Sequence, residues 1–125
     1  MSRIQFDTNG LIALPVWVRE DHPAIKRIQQ GQPAAACALV WYEFVCGPVS
    51  DEHKELARAV LAGRIEPVTE AAADLAGRMY NATGRNRRTR TDALIAACAI
   101  NVGAEFVTLN RGDFAPFEKF GLVLF

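Results

Sequence analysis

Several features that mark common classes of protein are missing from this chain. It has only two histidines and three cysteines, with no C-x-x-C pair, so a zinc site is not expected. No apolar run approaches the roughly 18 residues needed to cross a bilayer, and the N-terminal residues lack the pattern of a signal peptide. We therefore expect a cytoplasmic protein without membrane association.

Several catalytic motifs are missing as well. The sequence has no G-x-x-x-x-G-K phosphate loop, no G-x-G-x-x-G and no G-x-S-x-G. Cys37, Cys46 and Cys98 lie among Ala, Val and Ile, which indicates buried, reduced thiols that act as small hydrophobic residues rather than metal or redox sites. Any catalysis must therefore depend on other side chains.

The composition is that of one compact domain. Of the 125 residues, 50% are hydrophobic and 22% are charged, which is enough to bury a core without disulfides. We therefore expect a single domain over residues 1–125. The 14 basic residues balance the 14 acidic ones. If several acids were bound to metal, the remaining surface would be mildly basic, which is compatible with a nucleic-acid partner.

Acidic residues in apolar surroundings are the most informative feature of the sequence. These residues are Asp7, Glu43, Asp92 and Asp113. A carboxylate in a segment that becomes buried is costly unless it is paired, hydrogen-bonded or bound to a metal. No Lys or Arg lies between Arg27 and Lys54, or between Arg90 and Arg111. Because Mg²⁺ and Mn²⁺ prefer carboxylate oxygens, one or two such ions could serve all four acids.

Short strand-like runs alternate with helical patterns along the chain. The predicted strands are residues 3–7, 36–40, 65–68, 105–109 and 122–125. Helices are predicted over 21–31, from 41 to 47, and over 51–63, 70–84 and 92–102, with Ser50, Thr69 and Thr91 as N-terminal caps. Strands separated by helices need crossover connections, so we predict an α/β fold with a mostly parallel central sheet flanked by helices on both faces.

This architecture predicts where a site would lie. Parallel sheets bind ligands beyond the carboxyl ends of their strands. Asp7 ends the first predicted strand and is followed by Thr8 and Asn9, while Asp113 follows the fourth strand together with Thr108 and Asn110. On their helices, Asp92 heads an apolar stripe and Glu43 shares its side with apolar neighbours. The four acids are therefore expected to converge.

Each acid also has an ordinary structural interpretation. Asp92 could stabilise a helix N-terminus, and Glu43 could lie at the surface with its aliphatic part packed. Asp7 could be a turn residue, and Asp113 a loop residue without a function. The metal site therefore depends on the four acids as a set.

Basic and aromatic residues provide candidate contacts to nucleic acid. The arginines that precede the last long helix are Arg85, Arg87, Arg88 and Arg90. Guanidinium groups bind phosphate oxygens well, although a solvated loop or a contact with an acidic partner protein would use the same residues. Trp17, Trp41 and Tyr42 could stack on bases, whereas packing in the core or in a dimer is the alternative.

The chain resembles the PIN-domain ribonucleases, in particular the VapC-type toxins of bacterial toxin–antitoxin pairs. The matching segments are residues 6–14, the helix that contains Glu43 and ends at Gly47, residues 91–99 and residues 107–114. The resemblance implies a parallel sheet flanked by helices and Mg²⁺ or Mn²⁺ bound by the four acids. It also implies a homodimer and inhibition by a small cognate antitoxin that covers the site.

The sequence departs from the family pattern at three places. Gly10 replaces the usual aliphatic residue after Asp-Thr-Asn, which is expected to loosen the first turn of the following helix. Asn110 stands where many relatives have Asp, so the site carries less charge there. The segment before Glu43 lacks the frequent Ser and Thr residues.

The resulting hypothesis is a metal-dependent endoribonuclease that hydrolyses RNA by a two-metal mechanism and leaves 5′-phosphate and 3′-hydroxyl ends. Asp7, Asp92 and Asp113 would hold the principal ion, and Glu43 would help to hold a second ion or its water. The residues expected to orient these carboxylates are Thr8, Asn9, Thr108 and Asn110. Two alternatives are a phosphatase with Asp7 as nucleophile and a non-catalytic module that binds RNA or a partner.

Overall fold

All the strands of the central sheet run parallel. The computed structural model of the chain describes residues 2–125. The strands are β1 (Ile4–Phe6), β2 (Ala34–Cys37), β3 (Ile65–Glu66), β4 (Glu105–Val107) and β5 (Val123–Leu124). They lie in the order β3-β2-β1-β4-β5, and each neighbouring pair is parallel. The predicted α/β class and parallel sheet are confirmed.

Seven α-helices and two 3₁₀ helices connect the strands in the described part of the chain. The α-helices are α1 (Thr8–Arg19), α2 (Pro23–Gln29), α3 (Ala38–Cys46), α4 (Asp51–Leu61), α5 (Glu70–Ala82), α6 (Arg90–Asn101) and α7 (Arg111–Phe114). The 3₁₀ helices are Arg87–Thr89 and Ala115–Phe120. Between residues 2 and 125, no helix is long and apolar enough to cross a membrane.

The strand order places helices on both faces of the sheet. The chain moves outward from β1 to β3 and then crosses to β4 and β5 on the other side of β1. Since parallel crossovers are right-handed, this reversal puts α1 to α4 on one face and α5 to α7 on the other. The packing agrees, because α1 contacts α3 and α4, whereas α5 packs on α6 and α6 on α7. The reversal occurs between β1 and β4, where a ligand site is expected.

Two of the predicted helix caps are observed. The Ser50 side chain accepts a hydrogen bond from the amide of His53, and the Thr69 side chain accepts one from the amide of Ala72. The prediction for Thr91 was wrong, because α6 begins one residue earlier, at Arg90. The preceding 3₁₀ turn leads directly into α6, so its first turn forms without a side-chain cap.

The second strand and one cysteine also differ from prediction. Residues 38–40 were predicted as strand but form the first turn of α3, and β2 lies earlier, at Ala34–Cys37. A short apolar run does not distinguish a buried strand from a buried helix, and only the pairing of β2 with β1 and β3 decides between them. Cys37 and Cys98 are buried as predicted, but Cys46 is exposed at the end of α3.

Helix α1 contains a proline that removes a backbone hydrogen bond, and a side chain of another helix replaces the missing donor. Pro15 has no N–H, so the carbonyl of Leu11, one turn earlier, loses its usual helical partner. The His53 Nε2 atom of α4 lies 2.9 Å from this Leu11 oxygen. A proton on Nε2 makes His53 the donor that replaces the missing N–H. His53 therefore stabilises the helix that follows Asp7.

Candidate active site

An acidic cleft of about 260 Å³ lies beyond the carboxyl ends of β1 and β4. It contains three of the four predicted acids, which come from the end of β1, from α3 and from the first turn of α6. The residues that line it are Asp7, Thr8, Asn9, Glu43, Asp92, Ile95, Asn110 and Phe114. The cleft therefore lies at the reversal of strand order between β1 and β4.

Asp7 is a buried carboxylate that two hydrogen bonds hold in place. It is 3% exposed; its Oδ1 accepts from the Gly10 amide at 2.7 Å, and its Oδ2 accepts from the Thr108 hydroxyl at 2.5 Å. Burial raises the pKa of Asp7 above its ordinary value, these hydrogen bonds oppose the rise, and the nearby charge of Glu43 adds to it. The carboxylate is thus oriented at a cost in solvation.

Glu43 is anchored by a residue next to Asp7. Its Oε1 accepts a hydrogen bond from the Thr8 hydroxyl at 2.6 Å, which connects α3 to the start of α1. Thr108 accepts a hydrogen bond from the Asn110 amide at 2.9 Å while it donates to Asp7. Thr8 and Thr108 therefore contact the acids directly, whereas Asn9 and Asn110 lie along the cleft wall.

Asp92 carries the clearest electrostatic sign that the acids form one group. Burial, together with the negative charges of Asp113, Glu43 and Asp7, raises the pKa of Asp92 to about 6. Within residues 2–125, the salt bridges join other residues, Arg3 with Glu66 and Arg27 with Glu105. In the described chain, no basic side chain neutralises the acids of the cleft by a salt bridge.

Asp113 lies beside the cleft rather than in it. Its side chain is exposed in the short helix α7 and lines a neighbouring depression with Thr83, Asn86 and Thr89. The next residue, Phe114, is buried and takes the position on the cleft wall. The structure thus brings together three of the predicted acids and leaves Asp113 near enough to act on Asp92 through its charge.

Gly10 has a role that the sequence did not reveal. A Cβ atom on Gly10 would lie 3.1 Å from Asp7 Oδ1 and 3.1 Å from Phe6 Cδ1, which is too close without a shift. Gly10 is buried and lies inside α1, and its amide donates to Asp7. The glycine lets the first turn approach the carboxylate, while its loosening effect on that turn stays a prediction.

The acidic cleft has the donor chemistry of a site for a hard divalent cation. It presents carboxylate, hydroxyl and amide oxygens with uncompensated negative charge. Among residues 2–125 there is no ready-made group of three or more His, Cys, Asp or Glu side chains around one metal position. Mg²⁺ is commonly held by one or two carboxylates together with several waters, so the cleft fits an ion that is bound partly through water.

The arginine cluster is exposed and borders α6 on its N-terminal side. Arg85 and Arg90 each lie 5.5 Å from the centre of the Tyr80 ring, in cation–π contact. Arg87 and Arg88 lie on the 3₁₀ turn that leads to Asp92. This arrangement presents positive charge next to the helix that carries an acid of the cleft.

The three aromatic residues have different environments. Trp17 is buried and stacks on His22, with ring centres 4.2 Å apart, so it belongs to the core. Trp41 is half-buried beneath Arg58 at 4.9 Å, whereas Tyr42 is 63% exposed. Of the three, Tyr42 has the exposure that contact with a base or a partner protein requires.

Comparisons with known proteins agree with this geometry. The family model of the PIN domain matches residues 4–119, and no curated protein matches the chain. A toxin–antitoxin complex from Klebsiella pneumoniae contains a chain that is 26% identical, with a TM-score of 0.66 and 90% of each chain covered.

Two further structures show the same fold at lower identity. FitAcB from Neisseria gonorrhoeae is 20% identical, with a TM-score of 0.66 and coverage of 98% of this chain and 96% of that one. VapBC2 from Rickettsia felis, bound to a DNA fragment from its promoter, is 17% identical, with a TM-score of 0.68 and coverage of 98% and 97%. With a family model that spans nearly its whole length and an acidic cleft where its parallel strands end, this chain belongs to the PIN domain family.

Proposed function

We propose that this protein is a Mg²⁺- or Mn²⁺-dependent endoribonuclease and the toxin of a type II toxin–antitoxin pair. The observation that carries the proposal is the convergence of Asp7, Glu43 and Asp92 on one cleft without a basic partner. A cluster of carboxylates that stays uncompensated in the folded protein is stabilised by a divalent cation. PIN domains are typically nucleases, and in a nuclease a bound divalent cation would assist the hydrolysis of a phosphodiester.

Each acid has a position that suits a different part of the reaction. Asp7 is fixed by Gly10 and Thr108, so it provides a rigid ligand. Asp92 and Glu43 line the same cleft, and Asp113 adds negative charge from the neighbouring depression. A bound divalent ion there would activate water and neutralise charge on the phosphate.

The arginine cluster supplies the contacts to the RNA backbone in this proposal. Arg87 and Arg88 are exposed on the turn that precedes Asp92, so a strand held there would be led toward the cleft. Such contacts carry no base information themselves and make binding sensitive to salt. The RNA and its cleavage sequence are therefore set by other contacts, for which exposed Tyr42 is a candidate.

The toxin part of the proposal rests on the solved relatives. Three similar structures are described as a toxin–antitoxin complex, FitAcB and VapBC2. By analogy, a small antitoxin would bind this chain and cover the acidic cleft, and the chain would form a homodimer in the cytoplasm. Co-expression with the product of an adjacent small open reading frame, followed by size-exclusion chromatography, tests the partner and the assembly together.

A cleavage assay with a matched control tests the proposed activity. Purified protein is incubated with total bacterial RNA and Mg²⁺ or Mn²⁺, with and without EDTA, and 5′-phosphate ends are mapped by sequencing. We expect defined cuts that disappear in EDTA and in Asp92→Asn. Asp74→Asn, which changes an exposed acid of α5, should cut like the wild type.

Two results would decide against this reaction. Equal cleavage in excess EDTA would exclude the metal mechanism, and RNA binding without any cut would favour the non-catalytic module. The phosphatase alternative is weakened by the structure, because both oxygens of Asp7 already accept hydrogen bonds and the side chain is buried. Hydrolysis of a small phosphomonoester that is lost in Asp7→Asn would restore it.

A further inference from the structure

A second cavity, of about 480 Å³, lies on the face of the sheet that α5 and α6 cover. It shares no lining residue with the acidic cleft. We call it the thiol cavity, because Cys37 and Cys98 line it together with Gln5 and Glu66. Pro67, Asn101 and Val102 are exposed at its rim, so small solutes can reach it from solvent.

The floor of the thiol cavity is unusually polar for a parallel sheet. Gln5 pairs in register with Ala35, and Cys37 pairs with Glu66. Since paired residues of parallel strands and alternate residues of one strand share a face, Gln5, Cys37 and Glu66 point to the same side. Parallel strands covered by helices normally carry apolar residues there, which suggests a use for these side chains.

Two oxygen atoms of this floor have no hydrogen-bond donor among residues 2–125. They are Gln5 Oε1 and Glu66 Oε1, and both are buried. Gln5 is 1% exposed in the central strand, while the other oxygen of Glu66 pairs with Arg3 at 3.1 Å. An unpaired buried acceptor is costly, so a small molecule with O–H or N–H groups would be bound favourably here.

The cavity also has two free thiols on its lining, those of Cys37 and Cys98. The neighbouring Cys98 side chain lowers the pKa of Cys37 and the amides of Val40 and Leu39 add to this shift, whereas burial and the negative charge of Glu43 oppose it. The Cys37 side chain, burial and the negative charge of Glu66 raise the pKa of Cys98. Cys37 is also the N-cap residue of α3, where the helix amides favour a thiolate, so we assign Cys37 as the nucleophile and Cys98 as its partner thiol.

We propose that Cys37 and Cys98 are a reactive thiol pair that a small peroxide oxidises to a disulfide within the thiol cavity. The Cys37 thiolate attacks one oxygen of hydrogen peroxide, the O–O bond breaks, and Cys37 becomes a sulfenic acid as hydroxide leaves. The sulfur of Cys98 then attacks the Cys37 sulfur and loses its proton, and the sulfenic oxygen leaves as water. In total, two thiols and one peroxide give one disulfide and two waters.

The unpaired oxygens fit this substrate class. Hydrogen peroxide has two O–H groups, and Gln5 Oε1 and Glu66 Oε1 are acceptors in the same cavity as the nucleophile. The disulfide would connect the end of β2, which leads into the helix of Glu43, with α6, which carries Asp92. The proposal does not depend on nuclease activity, and its test measures the thiols alone.

The experiment uses the full chain as Cys46→Ser, which removes the exposed third thiol and its intermolecular reactions. The reduced protein is treated with hydrogen peroxide, denatured, alkylated with iodoacetamide and analysed by intact mass and peptide mapping. We expect a mass lower by two hydrogen atoms, no alkylation, a cross-linked pair of peptides containing Cys37 and Cys98, and full reversal by dithiothreitol.

A second variant separates the two steps. In Cys46→Ser with Cys98→Ala, the sulfenic acid on Cys37 lacks its partner thiol, so a dimedone adduct should form on Cys37. If both thiols stay alkylatable at peroxide concentrations that oxidise exposed Cys46 in the wild type, the pair is inert and the proposal fails. Dimedone adducts on Cys98 in Cys46→Ser with Cys37→Ala, together with none on Cys37 in Cys46→Ser with Cys98→Ala, would contradict the assigned roles.

Discussion

Replacing Thr108 by Val tests how the buried carboxylate of Asp7 is held. The substitution preserves the shape of the side chain and removes the hydroxyl that donates to Asp7 Oδ2 at 2.5 Å. A hydrogen bond to a charged group contributes about 1.5–3 kcal/mol, and the acceptor of this bond, Asp7, is only 3% exposed. We therefore expect the free energy of unfolding to fall by about 2 kcal/mol while Asp7 is ionised.

The loss should depend on the protonation of Asp7. The Thr108 hydroxyl favours the ionised carboxylate, so its removal raises the pKa of Asp7 further above the ordinary value. As the pH falls and Asp7 becomes protonated in the folded state, the variant loses less relative to the wild type. The difference should shrink to about 1 kcal/mol or less, the value of a hydrogen bond between neutral groups.

Urea denaturation of the metal-free protein at several pH values measures this difference in stability. A double-mutant cycle then shows how much of it comes from the interaction between Thr108 and Asp7. In an Asp7→Ala background, which lacks the acceptor, Thr108→Val should cost clearly less, because only the bond from the exposed Asn110 amide to the Thr108 hydroxyl is then lost. A destabilisation that is independent of pH and equally large in that background would show that the hydroxyl does not stabilise the ionised Asp7. Thr108 would then act through packing alone.

Three further predictions follow from the structure. His53→Ala should destabilise the protein by about 1–3 kcal/mol. The loss should be clearly smaller in a Pro15→Ala background, where a backbone N–H again donates to the Leu11 carbonyl. Equal losses in the two backgrounds in denaturation experiments would show that His53 does not replace the missing donor. Gly10→Val, which adds atoms where a Cβ already lies 3.1 Å from Asp7 Oδ1, should weaken Mn²⁺ binding in calorimetry more than the exposed change Gly77→Val. Because the pKa of Asp92 is raised to about 6 from an ordinary 3.8, the metal-free protein should gain stability as the pH falls through 6. Asp92→Asn should make thermal unfolding less dependent on pH in this range. An unchanged dependence of stability on pH would contradict the raised pKa of Asp92.

The sequence was sufficient to predict the parts of the fold that depend on local signals. Alternating strand and helix patterns indicated the parallel sheet, and Ser50 and Thr69 marked helix starts that the structure confirms. Three acids in apolar segments converge as expected because strand ends and inward helix faces meet at one edge of the sheet. These features need only spacing and residue type.

Other features depend on contacts between distant residues and could not be read from local pattern. Helix α1 contains both Gly10 and Pro15, which local rules treat as helix breakers, and it is stabilised by His53 from another helix. In the short helix α7, Phe114 lines the acidic cleft, whereas Asp113 lines a neighbouring depression. Asp113 is close enough to act on Asp92 through its charge, and its role as a metal ligand stays a prediction.

The most direct test of the acidic cleft is a crystal structure of the wild-type protein with Mn²⁺, recorded with anomalous scattering. We expect an anomalous peak in the cleft, with an oxygen of Asp7 and at least one oxygen of Asp92 or Glu43 bound directly or through one water. Crystals that bind Mn²⁺ only elsewhere, from protein that still cuts RNA, would exclude the acidic cleft as the metal site.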